Sequence, residues 1–481
     1  MEDKMADIEL STVTDRALGA EEGNITLSPL HSTGEKDSVP LVVGGARGGH
    51  EMVSTGESAQ KDEHAKSGWM GITMIIIASF VGTGVLSLGF AAAAIGWIPT
   101  MFVIVICASG AYYSGMLYYR LYCVVPTAKV LADVGMFAHG RRGEQLVIAV
   151  AYTYLGGIVI VFHLTTASAF KNIFYDANVC TVIWSILGGF LSLGLAQFRD
   201  IHEIGGLAIF GAISIFIPVI VVFSVLIANG HTIDAQMHDD DNDYDDATSI
   251  VAPVNGFEHF VTFGVGCMDI VFAFSGQVVF FELISGMSTP SDFKKSVAVS
   301  TAVMTFTYIT VASLGYAFVG ASGLIGGNPI TSVLSNGPIL RVVNSFLVCH
   351  VIVAYVIELN ILTRGVLKII NMENGVNGDT PHDRFIWFSC TGCIVFGAFI
   401  ISNLIPFFSD IMGLLGSLCS ILLTYTIPLV CAQKLLPMKP FEYKFASYMI
   451  PFSIAMAIFG TFCSIVDIVE KFDVDSPPFS C

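Results

Sequence analysis

The stretch Phe80-Val-Gly-Thr-Gly-Val-Leu-Ser-Leu-Gly-Phe90 decides how this chain is read, because it sets glycines at 82, 84 and 89 inside an apolar segment, 69–98, long enough to cross a bilayer. Glycine in a helix interior costs ~1 kcal/mol relative to alanine. A freed backbone group finds no water in lipid, so a weakened helix at that depth is tolerated where protein lines a polar cavity. The stretch therefore predicts a broken membrane helix beside a site for a small polar solute. Glycines in membrane helices also permit close helix packing, and for one such span alone packing is the commoner explanation.

The composition on either side fits a membrane setting. The chain has 481 residues, of which 54% are hydrophobic and 13% charged, against about 25% charged in soluble domains. Its net charge of −17 comes from 22 Lys+Arg and 39 Asp+Glu. Residues 1–68 hold 13 of the acids and 6 of the bases, and residues 229–258 hold 8 acids and no base. The acidity thus belongs to a tail and a loop, and no basic patch suits a nucleic acid. Residues 1–68, rich in Ser, Thr, Gly and charge, predict a disordered tail. No apolar core follows a basic start there, so the first span is expected to act as its own insertion signal.

Ten further apolar runs follow, at 100–121, 146–170, 179–197, 204–228, 259–284, 296–319, 338–363, 384–404, 408–432 and 445–468. Each is long enough for ~30 Å of hydrocarbon at about 1.5 Å per residue. The expected architecture is an all-α integral membrane protein with eleven transmembrane helices over 69–468, a tail at each end (1–68 and 469–481) and the termini on opposite sides. With the N-terminus cytosolic, the cytosolic connections carry Arg120, Lys129, Arg141, Arg142, Arg199, Lys294, Lys295, Arg364, Lys368, Arg384, Lys434, Lys439 and Lys444. The opposite face carries only Lys171, Arg341 and Lys471. This positive-inside bias sets the orientation and places the acidic loop 229–258 on the outer or lumenal face. The sequon Asn24-Ile-Thr26 then falls on the cytosolic side, where no glycan is added.

The sixth span carries a second interruption, Phe272-Ala-Phe-Ser-Gly-Gln277, with Asp269 upstream. Breaks in the first and sixth spans are what a five-plus-five inverted repeat produces, with the solute site where the unwound segments meet. The half-helix after Gly84 offers unpaired N–H groups and a positive dipole end to a carboxylate. Carbonyls near Phe274, Ser275 and Gly276 suit an ammonium group. A zwitterion with both groups on one carbon fits those two poles. The candidate binding residues are Gly82, Thr83, Gly84, Phe274, Ser275 and Gly276, the hydroxyls of Thr83 and Ser275 serving orientation.

Three motifs in order resemble one family. Gly82-Thr-Gly-Val-Leu-Ser-Leu-Gly-Phe-Ala91 followed by Gly96-Trp97 resembles the first-span signature of the amino acid/auxin permease (AAAP) family, within the amino acid–polyamine–organocation superfamily. Val271-Phe-Ala-Phe-Ser-Gly-Gln277, with Glu282, Met287, Pro290 and Phe293, resembles its sixth span and following loop. Ile405-Pro-Phe-Phe-Ser-Asp410, with Gly413, Gly416 and Pro428, resembles its tenth. The resemblance implies the bacterial leucine-transporter (LeuT-like) fold and secondary active transport of amino acids coupled to protons or sodium. Two positions depart from the pattern: Gly89 and Val356 stand where the family commonly has proline.

Intramembrane carboxylates are candidates for coupling by default. Glu358 in the eighth span either titrates as the proton carrier or anchors the inner helix end near Arg364, and the sequence supports both readings equally. Asp269 either faces an outer vestibule or is a solvated helix-end acid. His163 and His350, lone imidazoles on apolar helices, read as satisfied buried histidines. The eighth span offers Asn360 and Thr363 but no adjacent Ser/Thr pair for a sodium site, so a proton is the expected coupling ion and sodium the alternative.

No cofactor is expected. Cys390-Thr-Gly-Cys393 lacks a second ligand pair for zinc, and a Cys180–Cys481 pairing has only a shared outer face to recommend it. No Walker A sequence points to ATP, and no catalytic set points to an enzyme. An amino-acid-sensing transceptor signalling through the tail is the rival reading, and a channel is disfavoured by the scarcity of aligned polar residues. Asp37-Ser-Val-Pro-Leu-Val42 loosely resembles a sorting signal, leaving plasma membrane and vacuolar or lysosomal membrane as alternatives.

Overall fold

Helices with apolar side chains all round must be buried on all sides or face lipid, and this computed structural model contains both kinds. It describes residues 67–82, 84–199, 211, 214–225, 227–228, 256–324, 331, 334–372, 374–378, 380–405 and 407–474. The expectations for the tail 1–66, for Thr83, for most of the acidic loop and for Cys481 lie outside these residues. Cys180 is disulfide-bonded.

Along the first membrane segment run α1 (Trp69–Phe80) and α2 (Gly84–Ile95), bent by 54° at the break between them. Then come α3 (Trp97–Val124), α4 (Leu131–Ile173), and the shorter apolar helices α5 (Thr181–Leu195) and α6 (Ser214–Val225). The second broken segment comprises α7 (Gly256–Ala273), a 3-10 turn Gln277–Val279 and α8 (Phe280–Ser285). It is followed by α9 (Phe293–Leu324), α10 (Pro338–Ile369), α11 (Pro381–Leu404), α12 (Phe408–Leu435) and α13 (Pro440–Val474). Among the described residues, eight helical segments are long and apolar enough to cross a membrane, and the bent pair α1–α2 makes up to nine. The shorter α5 and α6 fall where the sequence places its fourth and fifth spans.

Burial sorts the helices into an inner set and an outer set. Every residue of α2 is buried, and the best apolar windows of α7–α8 and α12 are each 72% buried, against 28% for α11 and 33% for α9. The inner helices are rich in small residues, such as Ala91, Ala92, Ala93 and Ala94. Lipid is as apolar as leucine, so close backbone approach rather than water exclusion holds such helices together. Here α2 packs on α7 and α9, α10 on α4, and α13 on α7 and α12.

Polar ties fasten the helix ends on the face bearing most of the Lys and Arg residues. Ser67 N–H donates to the Gly286 carbonyl at 3.0 Å, and Ser288 N–H donates to the Ser67 carbonyl at 3.0 Å, a parallel bridge between the start of α1 and the segment after α8. The Ser296 hydroxyl donates to the Trp69 carbonyl at 2.8 Å, and Arg120 meets Glu442 at 3.4 Å.

Candidate functional site

The two breaks meet at the centre of the inner set. A Cβ on Gly84 would stand 2.9 Å from the Cα of Ala273, so the first turn of α2 rests directly on the last turn of α7. Gly276 has φ 141°, a region open essentially to glycine alone, and its α-carbon abuts the ring of Phe80, where α1 ends. The packing explanation for the first-span glycines thus holds at Gly84, and what it packs against is the other break. Replacing Gly84 by Leu is expected to abolish transport while leaving insertion intact, because the backbone of Ala273 has no rotamer with which to yield. Comparing uptake with the amount of protein in the membrane checks this; retained uptake would remove Gly84 from the site.

A broken helix leaves carbonyls without intrahelical donors, and the structure supplies donors from other helices. The Tyr308 hydroxyl on α9 lies 2.9 Å from the Phe80 carbonyl and 2.7 Å from the Ala273 carbonyl, reaching both breaks at once. Phe274 packs edge-on against the Tyr308 ring with centroids 4.9 Å apart. The Phe274 carbonyl accepts from Gln277 Nε2 at 2.8 Å, Gln277 Oε1 accepts from Thr424 at 2.8 Å, and the Gly276 N–H also donates to Gln277 Oε1 at 3.0 Å. Ser275 Oγ donates to the Phe272 carbonyl at 2.6 Å and lies 2.9 Å from the Tyr154 hydroxyl and 3.0 Å from the Ser420 hydroxyl. One donor and two acceptor sites are all that a serine hydroxyl has, so Ser275 is fully committed. A ligand can reach these groups only by displacing internal partners.

Phe274, Ser275, Gly276 and Gln277 belong to the interruption legible in the sequence, whereas Tyr154, Tyr308, Ser420 and Thr424 join it from other helices without being singled out by sequence. One signal was available for the last two: α12 contains two consecutive π-helical turns, Gly416–Ser420 and Leu422–Thr426, a geometry frequent at functional sites, and its sequence there is dense in Ser and Thr. Tyr308 carried no such signal.

On the α1–α2 side, the N–H groups of the first α2 turn lack intrahelical acceptors, though Val85 N–H reaches the Gly82 carbonyl at 3.3 Å. His350 stands beside them. Its Nδ1 lies 2.7 Å from the Gly211 carbonyl, a contact that requires the proton on Nδ1, so in the neutral ring Nε2 bears the lone pair. That Nε2 is 3.6 Å from where a Gly82 Cβ would be and has no hydrogen-bond partner among the described residues. His350 is therefore half satisfied. His163 is fully satisfied, by Tyr355 and Ser185, each at 2.9 Å.

The carboxylates separate into two groups. Glu358 on α10 is half-buried, its Oε2 without a hydrogen bond among the described residues, and Glu282 on α8 faces it. Arg364 donates to the Arg199 carbonyl and lies over Trp387, 5.9 Å from the ring centroid, so it braces α10 against neighbouring segments. Asp269 on α7 is fully buried beside Asp410, Asp467 and Lys471.

The family model and the relatives similar in sequence agree on one family. The family model described as transmembrane amino acid transporter protein matches residues 65–470. An "N amino acid transport system protein" of Neurospora crassa is 26% identical over 473 residues, covering 91% of this chain and 94% of its own. "Amino acid permease 3" of Arabidopsis thaliana is 24% identical, covering 80% of this chain and 88% of its own. A solved Na+-coupled sialic acid symporter, in a substrate-bound outward-open state, superposes at TM-score 0.49 and 10% identity over 85% of this chain and 91% of its own, a likeness too slight to fix a fold. A match across the two broken segments, the π-helical α12 and every helix between them makes this chain a member of the transmembrane amino acid transporter family, and not an enzyme.

Proposed function

We propose that this protein is a secondary active transporter that moves amino acids by alternating access, with the substrate held where the breaks in the first and sixth spans meet. The observation that carries this reading is the reach of one hydroxyl, Tyr308, to the freed carbonyls of both breaks. Two discontinuous segments sharing one tether are suited to rearrange together when a solute replaces the tether's contacts. The substrate carboxylate takes the N–H groups at the start of α2, beside Gly82, Thr83 and Gly84. The ammonium group takes the His350 Nε2 lone pair and the carbonyls released around Phe274 and Ser275.

In this reading α5 and α6 are the fourth and fifth of eleven spans, arranged as a LeuT-like five-plus-five inverted repeat over 69–468. The tail 1–68 is cytosolic, and the acidic loop 229–258 and the end 469–481 lie on the outer or lumenal side of a plasma membrane or a vacuolar or lysosomal membrane. The coupling ion is a proton, with sodium the alternative, because α10 offers Asn360 and Thr363 but no adjacent Ser/Thr pair to a sodium ion. No cofactor takes part.

The test is an uptake matrix of labelled amino acids against imposed proton and sodium gradients in liposomes carrying the purified chain. Gradient-driven accumulation of at least one amino acid is expected. No uptake of any amino acid under either gradient would sink the proposal, and saturable binding without flux would make the protein a sensor.

A further inference from the structure

Far from the Lys- and Arg-rich face, where α12 begins and α13 ends, three helices bring charges together inside the protein. Asp410 on α12 is fully buried and holds Lys471 on α13 by both oxygens, at 2.7 and 2.8 Å. Lys471 also meets Asp467, one turn earlier on α13, at 3.0 Å. Its ammonium lies between the rings of Phe90 on α2 and Phe407, with centroids 5.8 and 5.9 Å away. Asp269 completes the group from α7. It is 0% exposed, and neither of its oxygens has a hydrogen bond of proper geometry among the described residues, although the Ser409 hydroxyl faces it.

A second orphan points to the same place. Ser464 on α13 is 0% exposed and its hydroxyl has no partner among the described residues. Gly413 on α12 leaves room between the two: a Cβ there would lie 3.2 Å from Ser464 Oγ and 3.5 Å from Asp269 Oδ1. The remaining titratable groups on or around α7 are Glu258 and His259 in its first turn, the thiols of Cys267 on α7 itself, Cys463 on α13 and Cys107 on α3, and, at its far end, the phenols of Tyr154 and Tyr308. The local balance is thus three carboxylates against one ammonium. Buried carboxylates without compensation are costly; one ammonium leaves a net charge of −2 if all three ionise, and Asp269 is the carboxylate that Lys471 does not bond.

We propose that Asp269 carries the coupled proton, with Ser464 beside it and the Asp410–Lys471–Asp467 cluster as the fixed charge against which it is read. This rests on the transport reading above and deepens it. Asp269 lies five residues before Phe274, roughly 7.5 Å along the same half-helix. With a proton bound, Asp269 is neutral and α7 is free to part from α13. With the proton released, the carboxylate is drawn towards Lys471 and α7 is held. The O–H bond formed at Asp269 from one side of the membrane is broken towards the other, so one proton crosses for each cycle of the half-helix.

The experiment uses the full chain in liposomes and the labelled amino acid that the wild type accumulates most. Two readouts are compared: accumulation driven by a proton gradient, and counterflow exchange at equal pH. Asp269→Asn is expected to lose at least tenfold in gradient-driven accumulation with a far smaller loss of exchange. Asp269→Glu, which keeps a titratable group, is expected to retain accumulation with its pH profile displaced. Accumulation by Asp269→Asn at the wild-type level overturns the proposal, as does wild-type accumulation that follows sodium and ignores protons, while both leave the transport reading standing. Should Asp269→Asn lose both activities, Asp269→Glu decides: recovered proton-driven accumulation supports the assignment and its absence overturns it. A wild type that moves no amino acid removes the transport reading itself.

Discussion

Gly276→Ala is expected to reduce uptake to background and to lower the melting temperature of the purified protein, although the substitution adds a single methyl group. Two costs act together. At φ 141° an L-residue is strained, at about 1–3 kcal/mol. The added carbon also lands on the ring of Phe80, and overpacking a tight interior costs about 1–3 kcal/mol more. Phe80 cannot swing aside freely, since its ring stacks on Phe280 at 5.8 Å and its carbonyl is tethered to Tyr308. Combining Gly276→Ala with Phe80→Ala separates the two costs: the pair is expected to regain the packing share of the melting temperature but not the strain share. Wild-type uptake and melting by Gly276→Ala would show that the breaks tolerate a wider separation than their contact implies.

Tyr308→Phe is expected to lower the initial rate of uptake about tenfold or more without reducing the amount of protein in the membrane. The substitution removes one oxygen and keeps the ring, so the edge contact with Phe274 survives. It takes away the hydroxyl from the Phe80 and Ala273 carbonyls. A buried acceptor left unsatisfied costs about 1–3 kcal/mol, and each 1.4 kcal/mol is about a factor of ten. The loss concerns the relative placement of two half-helices, so it appears in transport rather than in insertion, which depends on the hydropathy of each span. Initial rates normalised to protein in liposomes check this, and an unchanged rate would mean that the tether is dispensable.

The two predictions differ in how far sequence alone could have reached them. Gly276 is legible, because a glycine flanked by serine and glutamine inside an apolar run contradicts the demand that lipid places on a helix. Tyr308 is not. A tyrosine on a long apolar helix reads as packing or as an interface anchor, and its partners are 228 and 35 residues away in the chain. The same contrast separates Asp269, noticeable as a carboxylate in an apolar span, from Lys471, which reads as a helix-end base and proves to be bonded to Asp410, 61 residues earlier. His350 lies between these cases. Its apolar surroundings suggest a satisfied imidazole, and only the position of the Gly211 carbonyl shows which nitrogen is left over.

The sequence by itself determined the membrane setting, the two weak points in otherwise apolar helices and the family, because in lipid each segment satisfies its own backbone and so declares itself locally through hydropathy and glycine placement. The tertiary structure alone decided that Gly84 rests on Ala273, that Tyr308 ties both breaks, that Ser275 has no free valence and that Asp269 faces an ion cluster. Those facts depend on which helix faces share an interface. Lipid rewards no apolar face over another, so that choice is made by backbone proximity and side-chain hydrogen bonds between residues far apart in the chain.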